Sequence, residues 1–161
     1  MKVLEIEHTD HYGKILYREE GIKNLIHYTG EQLILSILFG GVPVPENYYI
    51  GLDSRTSLSA SSAIGDISGF EPSTGGYSRQ SVNSSNFSVI SAAEGWQANS
   101  PVLLFSAVGG SWGPVKNIFM TAGLGYSASS TLISSASLSR EITVASGEIV
   151  TMRMAMALSE G

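Results

Sequence analysis

The chain has only three imidazoles, and two of them, His8 and His11, flank Asp10 in the string His8-Thr9-Asp10-His11. On a turn, that spacing could bring two ring nitrogens and a carboxylate to one metal ion. Nothing elsewhere completes such a set, so the string reads as a solvent-facing turn. Asp53, Asp66, Glu71 and Glu94 are the carboxylates a glycosidase pair would have to come from, but each falls in a turn-like stretch and reads as solvated. Serine is abundant, with 26 residues of which 25 follow position 50. Yet there is no Gly-x-Ser-x-Gly elbow, and His8, His11 and His27 all lie in the N-terminal region, away from the serines. Gly109-Gly110-Ser111-Trp112-Gly113 has no following Lys or helix and cannot be a phosphate loop. With no Cys, thiolate chemistry is absent as well. The expectation is a non-enzymatic chain with no catalytic, cofactor-binding or metal-binding residue and no cofactor.

Aromatic side chains raise a different possibility, because exposed rings on a β-protein stack on sugars. Trp96 and Trp112 begin strand-like segments, where a large ring usually closes one end of a core. With Tyr77 and Tyr126 they are expected in core or rim packing.

Charge narrows the partners. The formal net charge is −5, and the nine Lys and Arg residues are scattered with no two adjacent. That argues against nucleic acid, which is bound through a basic face. Leu33 to Phe39 is the longest apolar stretch; it is broken by Ser36 and falls well short of the roughly 20 residues that span a bilayer. Lys2 and the acidic string that follows it do not resemble a leader. The reading is a soluble protein with no membrane partner and no cleaved leader.

The elements that must position these residues fall into two regions. Residues 1–46 read as an N-terminal α/β appendage and 47–161 as a β-sandwich domain. In the appendage, Lys2 to His8 reads as a strand, Asp10-His11-Tyr12-Gly13 as a turn and Lys14 to Tyr17 as a returning strand. Ile22, Leu25 and Ile26 then follow helical spacing, weakened by Gly21. Thr29-Gly30-Glu31-Gln32 has the form of a capping box. Leu33, Ile34, Ile37 and Leu38 give one helical face, ended by Gly40-Gly41 with Pro43 and Pro45 beyond. A helix of about ten residues is marginal alone, so its face must dock on its own sandwich or on a neighbouring subunit. It carries no Lys or Arg, which argues against a DNA-reading helix-turn-helix.

Beyond Pro45 the apolar period changes to two. Strands are expected near Tyr48–Leu52, Tyr77–Val82, Phe87–Ser91, Gly95–Asn99, Val102–Ala107, Val115–Thr121, Thr131–Leu138, Glu141–Ala145 and Glu148–Leu158. In the last, Val150, Met152, Met154, Met156 and Leu158 should face a core while Thr151, Arg153, Ala155 and Ala157 face away. Core-filling is the reading for the methionines. Ser54 to Gly76 reads as a long surface loop of the kind that often carries function. The fold class is therefore mainly β, an antiparallel jelly-roll-like sandwich with one or two short helices in its appendage.

The order of several strings carries a resemblance. Tyr48-Tyr49-Ile50-Gly51-Leu52 precedes Gly75-Gly76-Tyr77-Ser78-Arg79-Gln80-Ser81-Val82. Phe105-Ser106-Ala107 and Trp112-Gly113-Pro114-Val115 follow, and then Leu132-Ile133-Ser134, Ala136-Ser137-Leu138 and Val144-Ala145-Ser146-Gly147-Glu148. From about Tyr48 to Leu158 the chain resembles small virion structural proteins of tailed bacteriophages, labelled tail-fibre-like. The resemblance implies a sandwich used as a particle component. In it, Tyr77 and Val82 would point inward and Arg79 outward, and Pro114 would admit a strand to the sheet.

The leading functional expectation is a capsid cement or decoration protein that buries area across junctions of the shell. Its partners would be the major capsid protein or other virion proteins and further copies of itself, expected as a trimer. Its location would be the virion, assembled in the host cytoplasm. The alternative is a tail-fibre or baseplate component that recognises host glycans through the 54–76 loop and the aromatics. A polysaccharide hydrolase is the third reading and lacks a visible acid–base pair.

Overall fold

The computed structural model describes residues 2–92 and 95–157. Alternation of apolar and small polar residues dominates, and strands follow it: β1 (Lys2–Thr9), β2 (Ile15–Ile26), β3 (Asn47–Asp53), β4 (Gln80–Asn83), β5 (Ser88–Ala92), β6 (Gly95–Asn99), β7 (Leu103–Ser106), β8 (Trp112–Ala122), β9 (Thr131–Val144) and β10 (Ile149–Ala157). Among the described residues, one helix, α1 (Tyr28–Phe39), and two short 3₁₀ turns complete the elements. The protein is mainly β and antiparallel, as the alternation predicts. The strands run in the order β4-β3-β8-β9-β2-β1-β10-β6-β5, with β7 on β10 beyond the β6 pairing.

This single path curls on itself at β2. Residues 15–23 of β2 pair with β1, whereas Asn24–Ile26 pair with Ser134–Ala136 of β9. One strand thus hands the chain from one layer to the other, the usual way a sandwich makes a corner. Between the layers lie Val3, Ile6, Ile50, Leu52, Ile118, Met120, Val150, Met152 and Met154, all almost fully buried. Val150, Met152 and Met154 face this core while Arg153 is exposed, as expected. Ala155 departs from the alternation and is buried too, and Leu158 lies outside the described residues.

The N-terminal region differs from expectation. The segment whose Ile22, Leu25 and Ile26 fit a helical face is the second half of β2. Gly21 adopts φ +65°, a left-handed conformation that would interrupt a helix and that glycine takes without a Cβ penalty. Pairing with β1 on one side and β9 on the other gives this backbone its partners, so tertiary context overrides local spacing. The boundary drawn at residue 46 falls inside one sheet, since β1 and β2 lie between β9 and β10.

Helix α1 forms as expected but starts earlier, and the capping box is absent. His27 is the N-cap residue and makes no side-chain cap. Thr29 lies inside the first turn and its Oγ1 donates to Leu132 O at 2.7 Å. The Tyr28 amide, one of the donors a helix start leaves unpaired, donates to Ala60 O at 2.8 Å. Gly30 is buried, and a Cβ there would collide with the backbone of Ile133. The helix needs that glycine to lie directly on β9.

Other differences are small. Tyr77–Arg79 precede β4 rather than belonging to it, and the strands expected at 131–138 and 141–145 are one, β9. β8 begins at Trp112, with a register shift between Trp112 and Val115 that accommodates Pro114 within the strand.

Candidate functional site

The stretch from Ser54 to Gly76 is folded onto the outer face of the β3–β8–β9 layer. Ile64 and Ile67, on a 3₁₀ turn (Ile64–Ile67), bury against Phe119 and Leu132 in a second small core. Phe119 points opposite to Ile118 and Met120 because strand residues alternate. Its ring crosses Gly51, where a Cβ would collide with it.

Arg79 lies on the same outer face. Its guanidinium sits 5.0 Å from the ring centroids of both Phe119 and Tyr126, a cation–π arrangement on two sides. Glu71 closes it with Nη2–Oε1 at 2.5 Å, and the two side chains are only 4% and 8% exposed. Tyr77 and Tyr126 both donate hydroxyl protons to Glu71, at 3.1 and 2.6 Å. Burial draws Arg79 down, but the carboxylate more than offsets it and holds the guanidinium above its ordinary value. Burial, and then the Glu71 charge, push the Tyr77 hydroxyl far up. These are groups locked in one protonation state. Arg79 does face away from the main core, but it is not solvated as an outward Arg would be.

A second buried pair lies nearby. Arg55 donates from Nε and Nη2 to Asp53 at 3.0 and 2.7 Å. Asn117 donates to Asp53 and to Arg55 O, both at 2.8 Å, and accepts from Ser137. Asp53 and Glu71 are therefore structural anchors rather than solvated turn carboxylates. Arg79, Tyr77 and Tyr126, which hold Glu71, and Asn117, which holds Asp53, lie outside the 54–76 segment and meet these carboxylates only when the chain folds. Asp66 is exposed and accepts from the Ala63 amide; Glu94 lies outside the described residues.

The histidines are not together. His8 is buried on β1 with its Nε2 2.8 Å from Glu148, which corrects the solvent-facing expectation for that residue, whereas His11 is exposed. His27 is fully buried. Its Nδ1–H donates to Ser59 O at 2.9 Å, and its Nε2 meets Ser135 Oγ at 2.8 Å. Burial depresses its pKa, and the Arg55 charge adds to this. Among the described residues no group of three or more His, Asp or Glu is placed to hold a metal ion, and no helix is long and apolar enough to cross a membrane.

The strings that carried the resemblance meet in space. Tyr77 stacks on Phe105 with centroids 6.1 Å apart and meets Trp112 edge-on at 5.7 Å. Gly75 and Gly76 both take positive φ, and a Cβ on Gly75 would strike Gly110 and Trp112. The Val108 amide donates to Gly75 O, the Gly147 amide to Ala107 O and the Ala107 amide to Glu148 O. These residues are a packing junction where the 75–82, 105–115 and 144–148 strings lock together. Trp112 is core, as expected, but Trp96 is 67% exposed, contrary to expectation.

Apolar surface remains outside. On α1 the inward side rests on β9, but Leu35, Leu38 and Phe39 are 56%, 62% and 83% exposed. A groove of about 300 Å3 beside the helix is lined by Ile34, Ile37, Leu38, Val44, Tyr48 and Met156. The β5–β6 hairpin adds Val89, Ile90 and Trp96, and β5 is an open edge.

Buried ion pairs used as anchors and a packing junction of aromatics brace a β-structure that leaves apolar side chains on its exterior. The family model for podophage GP4 fiber I protein gp80 matches residues 24–157. The chain belongs to that family, and so to the virion structural proteins of tailed phages. No curated protein matches it, and no solved structure matches it.

Proposed function

We propose that the chain is a non-enzymatic fibre subunit of a tailed-phage particle that works by assembling with copies of itself and with neighbouring virion proteins. The match to a fiber I family carries this reading and favours it over shell cementing, which would require the major capsid protein as neighbour. The exposed apolar residues of α1 and of the β5–β6 hairpin support self-association, because exposed apolar patches often mark surfaces that a partner covers. A closed ring of three copies would cover both features and protect the β5 edge. Assembly of the particle in the host cytoplasm follows from the same reading.

Light scattering on purified chain tests it. The expected result is an oligomer, with a trimer mass, that dissociates in the double variant Leu38→Asp, Phe39→Asp while the sheet signal in circular dichroism is kept. A wild-type chain that stays monomeric at high concentration would overturn the assembly role.

A further inference from the structure

His27 has no exposed surface, and both its ring nitrogens have partners. Ser59 O can only accept, so Nδ1 carries the proton and Nε2 accepts from the Ser135 hydroxyl. A second proton would have to go on Nε2, making a cation out of reach of water. The charged groups around the ring do not remedy this. Arg55 and Asp66 belong to the 54–76 segment, Asp53 to β3 and Glu31 to the first turn of α1. Asp53 is engaged by Arg55 and Asn117, and Asp66 by the Ala63 amide. Residues 24–26 of β2 and 131–139 of β9 carry no charge. On β8, Lys116 pairs with Glu141, and Arg79, over the Phe119 ring, is neutralised by Glu71. Burial opposes protonation of His27 most and Arg55 adds to it, while the Ser59 bond and the Asp53 and Asp66 charges offset only part.

The two residues that touch the ring nitrogens are held very differently. Ser135 sits in the β8–β9 ladder, opposite Phe119. Ser59 sits in the strip 56–63, which is fixed at its ends: Arg55 is locked to Asp53, and Ile64 is buried in the second core. Between those ends every side chain is exposed or half-buried. Ser59 and Ser62 bond to each other, through the Ser62 amide to Ser59 O and the Ser59 amide to Ser62 Oγ. Among the described residues, two hydrogen bonds carry the strip beyond the 54–76 segment. They are Tyr28 N–H to Ala60 O at 2.8 Å and His27 Nδ1–H to Ser59 O at 2.9 Å. A hollow of about 380 Å3 runs along Thr56, Ser57 and Ser62, so the strip is not packed down on its own segment either. A stretch with so few buried contacts opens at far lower cost than the sheet beneath it.

We propose that residues 56–63 are a lid over His27 that opens when the imidazole takes up a proton. Opening breaks the two bonds at His27 and Tyr28 and lets water reach the ring, while the anchors at Arg55 and Ile64 keep the rest of the segment in place. The device is independent of the fibre reading, since it needs no second copy and no partner.

Amide hydrogen exchange of the full-length chain, read by 15N NMR and corrected for the intrinsic pH dependence of exchange, tests it through the Tyr28 amide, whose acceptor is in the lid. Tyr28 should exchange faster than the amides of the β8–β9 ladder at every pH. Urea below the unfolding transition should leave its rate unchanged, because lid opening exposes little surface. Its protection should be constant above about pH 7 and fall by up to about tenfold per pH unit below about 6.5. The fall should end where the ring itself titrates and should be absent in His27→Gln. A fall that persists in His27→Gln overturns the inference, as does Tyr28 protection equal to that of the ladder. Protection that stays constant from about pH 6.5 down through the titration of the ring also overturns it; that outcome is read on wild type alone, so it decides the matter even if the variant does not fold.

Discussion

Met154 and Arg153 adjoin on β10, yet one is 1% exposed and the other faces solvent. Met154→Asp would bury an unpaired carboxylate and should cost about 4 kcal/mol or more, a fall in melting temperature of roughly 10 °C. Arg153→Ser should stay within about 0.5 kcal/mol of wild type. Reversed melting shifts would mean the strand is out of register by one residue. These faces were legible in the sequence because alternation alone determines them. The carboxylates were not, because Asp53 and Glu71 look like turn residues until Arg55 and Arg79 fold against them. Glu71→Gln leaves the Arg79 charge buried without its counter-ion and should destabilise by about 3 kcal/mol, measured by urea unfolding. An unchanged midpoint would mean that the cation–π contacts and the Nη1 bond to Thr121 Oγ1, at 3.4 Å, suffice without the carboxylate. Trp96 was misjudged for a similar reason: position at a strand start does not reveal that the hairpin projects from the core.

At the scale of elements, the Asp10–Gly13 turn, the 29–39 helix and nearly every strand after Pro45 were readable from local pattern. The second half of β2 was not. Ile22, Leu25 and Ile26 satisfy a helical face, and only the partners β1 and β9 decide for a strand. That placement has a consequence for truncation. Residues 46–161 alone lack the two strands that join β9 to β10, along with Val3, Ile6, Tyr17 and Ile22 of the core. The fragment should fail to fold cooperatively in thermal unfolding; a sharp transition would show that the sandwich closes without them. The helix start is pH-sensitive by the same geometry. His27 is held neutral in the fold, with its pKa below the ordinary 6.5. The unfolded chain therefore binds the proton first, and stability contributed at this site is present above about pH 6.5 and lost as pH falls below it, down to the folded value. The stability difference between wild type and His27→Gln should accordingly narrow between about pH 7 and about pH 5. A difference independent of pH would mean that His27 does not titrate with unfolding.

For the whole molecule, the path β4-β3-β8-β9-β2-β1-β10-β6-β5 makes one curled antiparallel sheet whose inside is packed and whose outside is divided. One part, under residues 54–76, is closed by two buried ion pairs and a small core. Another, along α1 and the β5–β6 hairpin, is left apolar. The mainly-β class and the particle role were readable because alternation and the order of the motif strings both survive along the chain. Position on the particle was not, because a surface that joins subunits has the same composition in a shell as in a fibre. The capsid-cement expectation gives way to the fibre reading on the family match. Immunogold labelling of intact phage particles with antibody against this chain tests that claim most directly. Gold on fibres projecting from the tail region is the predicted result, and gold distributed over the capsid shell would contradict it.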